Sequence, residues 1–271
     1  MLYERNYKLL TDEENETWKK VEAVFAKSKG PMGEIYPDKL IEYYKNLPIA
    51  ALHFKQLFPN NYLNSDDLRD KVKLKSVVAE FKLLLDKPGT EREILNFINS
   101  KNAYYIIASI FKGFHYTFRH HKAFAFKEFE LPPNYKVDYL LVGKSSGGYE
   151  FIFIELENSF GQITNSDGEF GTTIRKGIKQ INDWDSWLEG NYPTLKLAYD
   201  RHIGTMEELP REFFELDKSR IHYVVVAGRR ENFTKKTYQL KRKLLKSSNI
   251  LLLHYDNLLD SVDFLLESGN Y

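Results

Sequence analysis

The run Tyr149-Glu150-Phe151-Ile152-Phe153-Ile154-Glu155-Leu156-Glu157 limits what this chain can fold into more than any other segment. Its aromatic and β-branched residues favour a strand, and apolar side chains on both faces require a central strand covered by a layer on each side. At its end the pattern breaks. Glu155 and Glu157 stand two residues apart, so both carboxylates leave the same face of the sheet. Ionised carboxylates placed together at the end of a buried strand are costly without a compensating cation.

The flanking sequence supplies the layers. Thr90 caps a helix that opens Glu91-Arg92-Glu93, and a second apolar segment covers 103–111. Strand signals follow over 123–131, 137–142 and 149–157, with 143–148 as a hairpin turn between the last two. A helical period runs over 172–188, then a strand over 221–227, a basic helix over 233–246, a strand over 250–254 and a closing helix over 256–266. The order α, three β, α, β, α, β, α predicts an α/β (α+β) fold, a mixed sheet flanked by helices. Upstream the texture is helical. Thr11 and Glu14 have capping-box spacing, and amphipathic stretches over 40–47, 49–58 and 68–85 are punctuated by Pro48, Pro59 and Pro88. A small all-α N-terminal domain over 1–88 is expected before an α/β domain over 89–271.

Composition narrows the chemistry. The 271 residues contain no cysteine, which excludes disulfide scaffolds, thiolate metal sites and cysteine nucleophiles. Any metal must be held by oxygen ligands. Lys+Arg number 39 against 38 Asp+Glu, so contact with a polyanion must come from a local patch. One such patch contains Arg229, Arg230, Lys235, Lys236, Lys241, Arg242, Lys243 and Lys246 against the single acid Glu231. A charge run of this kind is either a solvated helix face or a track for a phosphate backbone. The opening residues carry scattered charges and no apolar signal core, and no apolar run approaches the ~20 residues of a membrane span, so a cytoplasmic protein is expected.

On the strand before the acidic one, Asp138 interrupts the apolar run Val137-Asp138-Tyr139-Leu140-Leu141-Val142. Acids at strand ends are commonly solvated or paired with surface cations. An Asp on one hairpin strand, Glu-x-Glu ending the next, and then a helix is also the layout needed to hold a metal beside a scissile phosphate. Asp138, Glu155 and Glu157 could converge on the all-oxygen ligand set that Mg²⁺ or Mn²⁺ prefers.

Asp138 followed by Glu155-Leu156-Glu157 resembles the PD-(D/E)xK nuclease signature. Four features in order resemble, more narrowly, the nuclease domain of the Shedu anti-phage defence family: the Thr90-Glu91-Arg92-Glu93…Asn96-Phe97-Ile98 helix entry, the Asp138/Glu155 pair, the helix Gly177-Ile178-Lys179-Gln180-Ile181-Asn182-Asp183-Trp184, and the ending Asn249-Ile250-Leu251-Leu252-Leu253-His254-Tyr255-Asp256-Asn257-Leu258-Leu259. The resemblance implies a restriction-endonuclease-like core and a Mg²⁺- or Mn²⁺-dependent DNA endonuclease that assembles as a homo-oligomer. It also implies that Asp138, Glu155 and the carbonyl of Leu156 bind the ion. Glu157 would be a further ligand or position water, Glu91 would add a carboxylate from its helix, and Gln180 would hydrogen-bond near the metal or the phosphate.

One position departs from the signature. Glu157 stands where the pattern has a lysine. That leaves three readings: a lysine supplied from elsewhere, with Lys144, Lys176 and Lys179 as candidates; a second metal held by the extra carboxylate; or a catalytically degenerate domain that acts as a DNA-binding or assembly subunit.

Overall fold

The computed structural model describes residues 2–114, 116–204 and 207–271. Helices α1 (Asp12–Lys27), α2 (Pro37–Lys45), α3 (Ile49–Phe54), α4 (Lys71–Leu85), α5 (Glu91–Ser100), α6 (Tyr104–Ala108) and α7 (Ile110–Gly113) precede strands β1 (Lys122–Leu131), β2 (Tyr135–Ser145) and β3 (Gly148–Leu156). Then follow α8 (Thr172–Asn191), α9 (Leu195–Asp200), β4 (Ile221–Val226), α10 (Lys235–Ser248), β5 (Ile250–Leu253) and α11 (Tyr255–Ser268). The expected order of elements from residue 90 is therefore observed, with α9 as an addition. No described helix is long and apolar enough to cross a membrane.

The five strands lie in chain order, with β1, β2 and β3 antiparallel and β3, β4 and β5 parallel. β3 is the middle strand, as its two-sided apolar pattern requires. One face, carrying Ile152, Ile154, Leu156, Val224 and Val226, packs under α4, α5, α6 and α11. The opposite face, carrying Phe151, Phe153, Leu140, Val142 and Val225, packs under α8 through Ile174, Ile181, Trp184 and Leu188. Trp184 and Trp187 are buried core residues. The β2–β3 turn is tighter than the sequence suggests. Gly143, Lys144 and Ser145 all pair across the ladder, leaving Ser146 and Gly147 as a two-residue turn, and Gly148 takes φ 102°, a value glycine accepts without strain.

The helical N-terminal region contributes to these layers. Leu2, Phe81 and Leu85 belong to the first apolar cluster and Leu57 and Phe58 to the second, whereas Val21, Tyr43, Leu47 and Ala51 form a small cluster among α1, α2 and α3. Arg229, just after β4, fastens the end of α4 to the start of α11. Its Nη1 donates to Leu85 O at 2.9 Å and Asp86 Oδ1 at 2.7 Å, and its Nη2 donates to Asp256 Oδ1 at 2.9 Å. Removing one partner of a largely buried ion pair leaves the other charge uncompensated. Arg229→Ala is therefore expected to lower unfolding free energy by about 2–3 kcal/mol in urea titrations, whereas Lys243→Ala, on an exposed position, should change it by less than about 0.5 kcal/mol.

Candidate metal centre

The ladder dictates the site. Tyr139 pairs with Ile154, so one step further Asp138 lies opposite Glu155, where β2 ends its pairing with β3. Asp138, Glu155 and Glu157 share the parity of Leu140 and Phe153 and so emerge on the α8 face. The Asp138 carboxylate accepts the Leu156 backbone N–H at 2.8 Å, which fixes its rotamer against the strand end. Glu91, the first residue of α5, arrives from the other layer. Its backbone N–H donates to Asn158 Oδ1 at 2.6 Å, directly after the acidic strand, and Thr90 completes a capping box with Glu93. Oxygens of Glu91, Asp138 and Glu155 all lie within 4.8 Å of one another.

One ammonium enters this group. Lys176 Nζ donates to Glu91 Oε2 at 2.9 Å and to Glu157 Oε2 at 3.0 Å. Its position depends on the next residue. A Cβ on Gly177 would stand 2.8 Å from Val225 Cγ1 and 3.2 Å from Glu157 Cγ, so only glycine lets α8 approach the strand ends this closely. Tyr255, the first residue of α11, donates its hydroxyl to the Glu157 carbonyl at 2.6 Å and braces the strand end from the opposite layer.

The charge balance is unfavourable as it stands. Glu155 and Glu157 are each 1 % exposed, and Glu155 Oε2 and Glu157 Oε1 are buried with no hydrogen-bond partner among the described residues. Burial first, and then neighbouring carboxylates, raise Asp138 and Glu155 above the carboxylate range. Burial pushes Glu157 up to about 7, opposed by Lys176. Although burial lowers the Lys176 pKa, its two carboxylate partners outweigh it and raise the value, keeping the side chain protonated at neutral pH. Hard oxygen donors, orphaned buried oxygens and excess negative charge fit a divalent cation of the Mg²⁺ class.

Most of the expected site residues converge here: Asp138, Glu155, Glu157 and Glu91 do, and Leu156 contributes its backbone. Among the three lysine candidates, Lys176 reaches the cluster. Lys144 lies far along β2, with its Nζ 5.1 Å from the Tyr149 ring centroid, and exposed Lys179 makes no ion pair among the described residues. Gln180 is half-buried one turn along α8 from Lys176 and makes no side-chain hydrogen bond among the described residues.

The basic patch begins with two paired cations. Arg229 is committed to Asp86 and Asp256, and Arg230 pairs with Asp260, because β4 delivers both onto the acidic flank of α11. Lys236 faces Glu169 at 3.8 Å, and burial lowers the pKa of half-buried Lys241. Lys235, Arg242 and Lys243 are exposed on α10 and free of ion pairs among the described residues. Sequence reasoning missed Asn158 and the packing role of Gly177. The signals were present, as a polar residue immediately after Glu-x-Glu and a glycine inside a helical period.

A mixed sheet whose middle strand ends in an oxygen-only carboxylate cluster defines an α/β protein with a candidate metal centre. The family model for the Shedu protein SduA C-terminal region matches residues 89–259, and the chain belongs to the Shedu family, whose membership implies anti-phage defence. No curated protein matches the chain.

Two outcomes test the geometry. The folded acids bind protons more tightly than the unfolded ones, so metal-free stability falls as pH rises from the ordinary Glu value of 4.5 through about 7 for Glu157 and on towards about 10 for Glu155. Glu155→Gln should therefore raise the melting temperature of chelator-treated protein at pH 8, by about 2–4 °C per kcal/mol relieved, with the advantage vanishing near pH 4. Gly177→Ala gains about 1 kcal/mol of helix propensity but meets Val225, and overpacking costs about 1–3 kcal/mol. Net destabilisation in chemical unfolding is expected, together with a weakened response to Mn²⁺.

Proposed function

We propose that the chain is a divalent-metal-dependent DNA endonuclease of the PD-(D/E)xK type acting in anti-phage defence. The observation that carries this reading is the cluster of Asp138, Glu155 and Glu91 oxygens with Glu157 and Lys176 beside it. Asp138, Glu155 and Glu91 would hold the ion, with Leu156 O as a further donor. Bound there, a Mg²⁺ or Mn²⁺ ion supplies Lewis-acid polarisation of the phosphodiester and a lowered pKa for water.

The chain's own residues divide the remaining work. Glu157, with a pKa near 7 and one free oxygen, is suited to accept the proton of the attacking water near neutral pH. Lys176 remains an ammonium, so it is not the base. It offsets the charge that builds on phosphate oxygens, the task the signature gives to a lysine at the position Glu157 occupies. Water attacks phosphorus, the 3′ oxygen leaves, and the product carries a 5′ phosphate. Lys235, Arg242 and Lys243 on α10 are suited to track the DNA backbone, which makes binding fall steeply with salt.

Cleavage of plasmid and linear DNA in Mg²⁺ or Mn²⁺, abolished by chelator and by Asp138→Ala or Glu155→Ala, is the expected result. Lys176→Ala should slow cleavage by about 10²-fold or more, while Lys179→Ala on the same helix leaves it within about twofold. Intact DNA across metal titrations, with salt-sensitive binding preserved, would instead identify a DNA-binding subunit with a degenerate centre.

A further inference from the structure

At the opposite end of the sheet from the carboxylates lies a cavity of about 490 Å³ whose lining includes Lys112, Arg119, His120, His121 and Lys122 and, among the described residues, no Asp or Glu side chain. Lys144, the partner of Lys122, stands six positions along β2 from Asp138, a span of about 20 Å at the strand rise. The two sites are therefore separate.

The cations here are assembled against their own repulsion. Lys122 and Lys144 face each other directly across the β1–β2 ladder, an arrangement that is unfavourable for like charges. Lys112, Arg119 and Lys122 make no ion pair among the described residues. Glu207 acts on Lys122 only from beyond ion-pair distance, and burial lowers the pKa of all three cations. Arg119 Nε is buried without a hydrogen-bond partner among the described residues. Its Nη1 is the anchored end, donating to Tyr116 O at 2.6 Å.

The segment that carries these groups is held in place. His121 N–H donates to Lys144 O at 3.1 Å, His120 Nδ1 lies 2.7 Å from Thr117 O, and the Phe118 ring stacks on His222 with centroids 5.1 Å apart. A Cβ on Gly143 would fall 2.4 Å from Phe118 O, so glycine in β2 is what allows the segment to close onto the sheet edge. Lys112 is steered from the other side by the carbonyl and side-chain oxygens of Asn270.

We propose that this cavity is a second, non-catalytic site that binds the phosphoryl group of a nucleotide, with Arg119, Lys122 and Lys112 as its donors. A fixed guanidinium and two ammonium groups, with no Asp or Glu side chain among the described lining residues, match the donor-rich chemistry of phosphate recognition. The volume accommodates one nucleotide rather than a bare ion. The phosphoryl group has two sources, a free mononucleotide or one residue of a polynucleotide strand.

The test is thermal stabilisation and calorimetric titration of the full chain, with chelator present, using three probes: inorganic phosphate, thymidine 5′-monophosphate, and a short oligothymidylate without terminal phosphates. Sodium chloride at matched ionic strength is the control. Saturable binding of at least one probe is expected. Arg119→Gln with Lys122→Gln should weaken it by more than about tenfold, and Lys112→Gln alone by severalfold. Glu155→Gln at the far end of the sheet should leave it unchanged. Tighter binding of the mononucleotide assigns the site to free nucleotides, and tighter binding of the oligothymidylate assigns it to a strand. Far-ultraviolet circular dichroism verifies that the variants are folded, and Lys112→Gln, at the rim, provides a second reading if the double variant is not. No saturable binding by any probe, or equal binding by folded variants, would overturn the proposal.

Discussion

Four carboxylates share one ammonium at the end of the middle strand, and much of the surrounding structure follows from that imbalance. Glu155 and Glu157 are carried into the interior by an apolar strand that must be covered on both faces, Asp138 is placed opposite by the hairpin register, and Glu91 is delivered by a capped helix from the other layer. Lys176 satisfies one oxygen each of Glu91 and Glu157, and two buried oxygens of the cluster remain without partners among the described residues. A cluster in this state is poorly suited to be a structural ion pair and well suited to receive a divalent cation.

Its geometry is held by packing rather than by charge. Gly177 sets the distance between α8 and the strands, and that distance determines whether Lys176 reaches Glu157. The Tyr255 hydroxyl and the Asp138 carboxylate hold the strand end through backbone groups, so they can fix the site whether or not an ion is bound. In the nuclease we propose, such preorganisation would let the side chains meet a phosphate with little rearrangement.

Much of this was legible in the sequence, for physical reasons that differ by element. Two-sided apolar strands, a Thr-x-x-Glu cap and a helical period are local signals, and they place β1 to β5, α5, α8, α10 and α11 close to where they occur. The Asp138 and Glu155 pairing follows from period-two geometry once the hairpin is recognised. What the sequence leaves open depends on long-range approach. Lys144, Lys176 and Lys179 are equivalent as letters, and only the docking of α8 selects Lys176. Arg229 reads as part of a basic run, but its partners Asp86 and Asp256 lie far from it along the chain. The +1 net charge conceals both an acidic centre and a cationic cavity at opposite ends of one sheet.

We propose that one divalent cation completes the carboxylate cluster. Calorimetric titration of the purified chain with Mn²⁺ tests it most directly. One saturable site per chain is expected, lost in Glu155→Gln and retained in Lys179→Ala. An absence of saturable binding, or binding by Glu155→Gln equal to that of the parent, would contradict it.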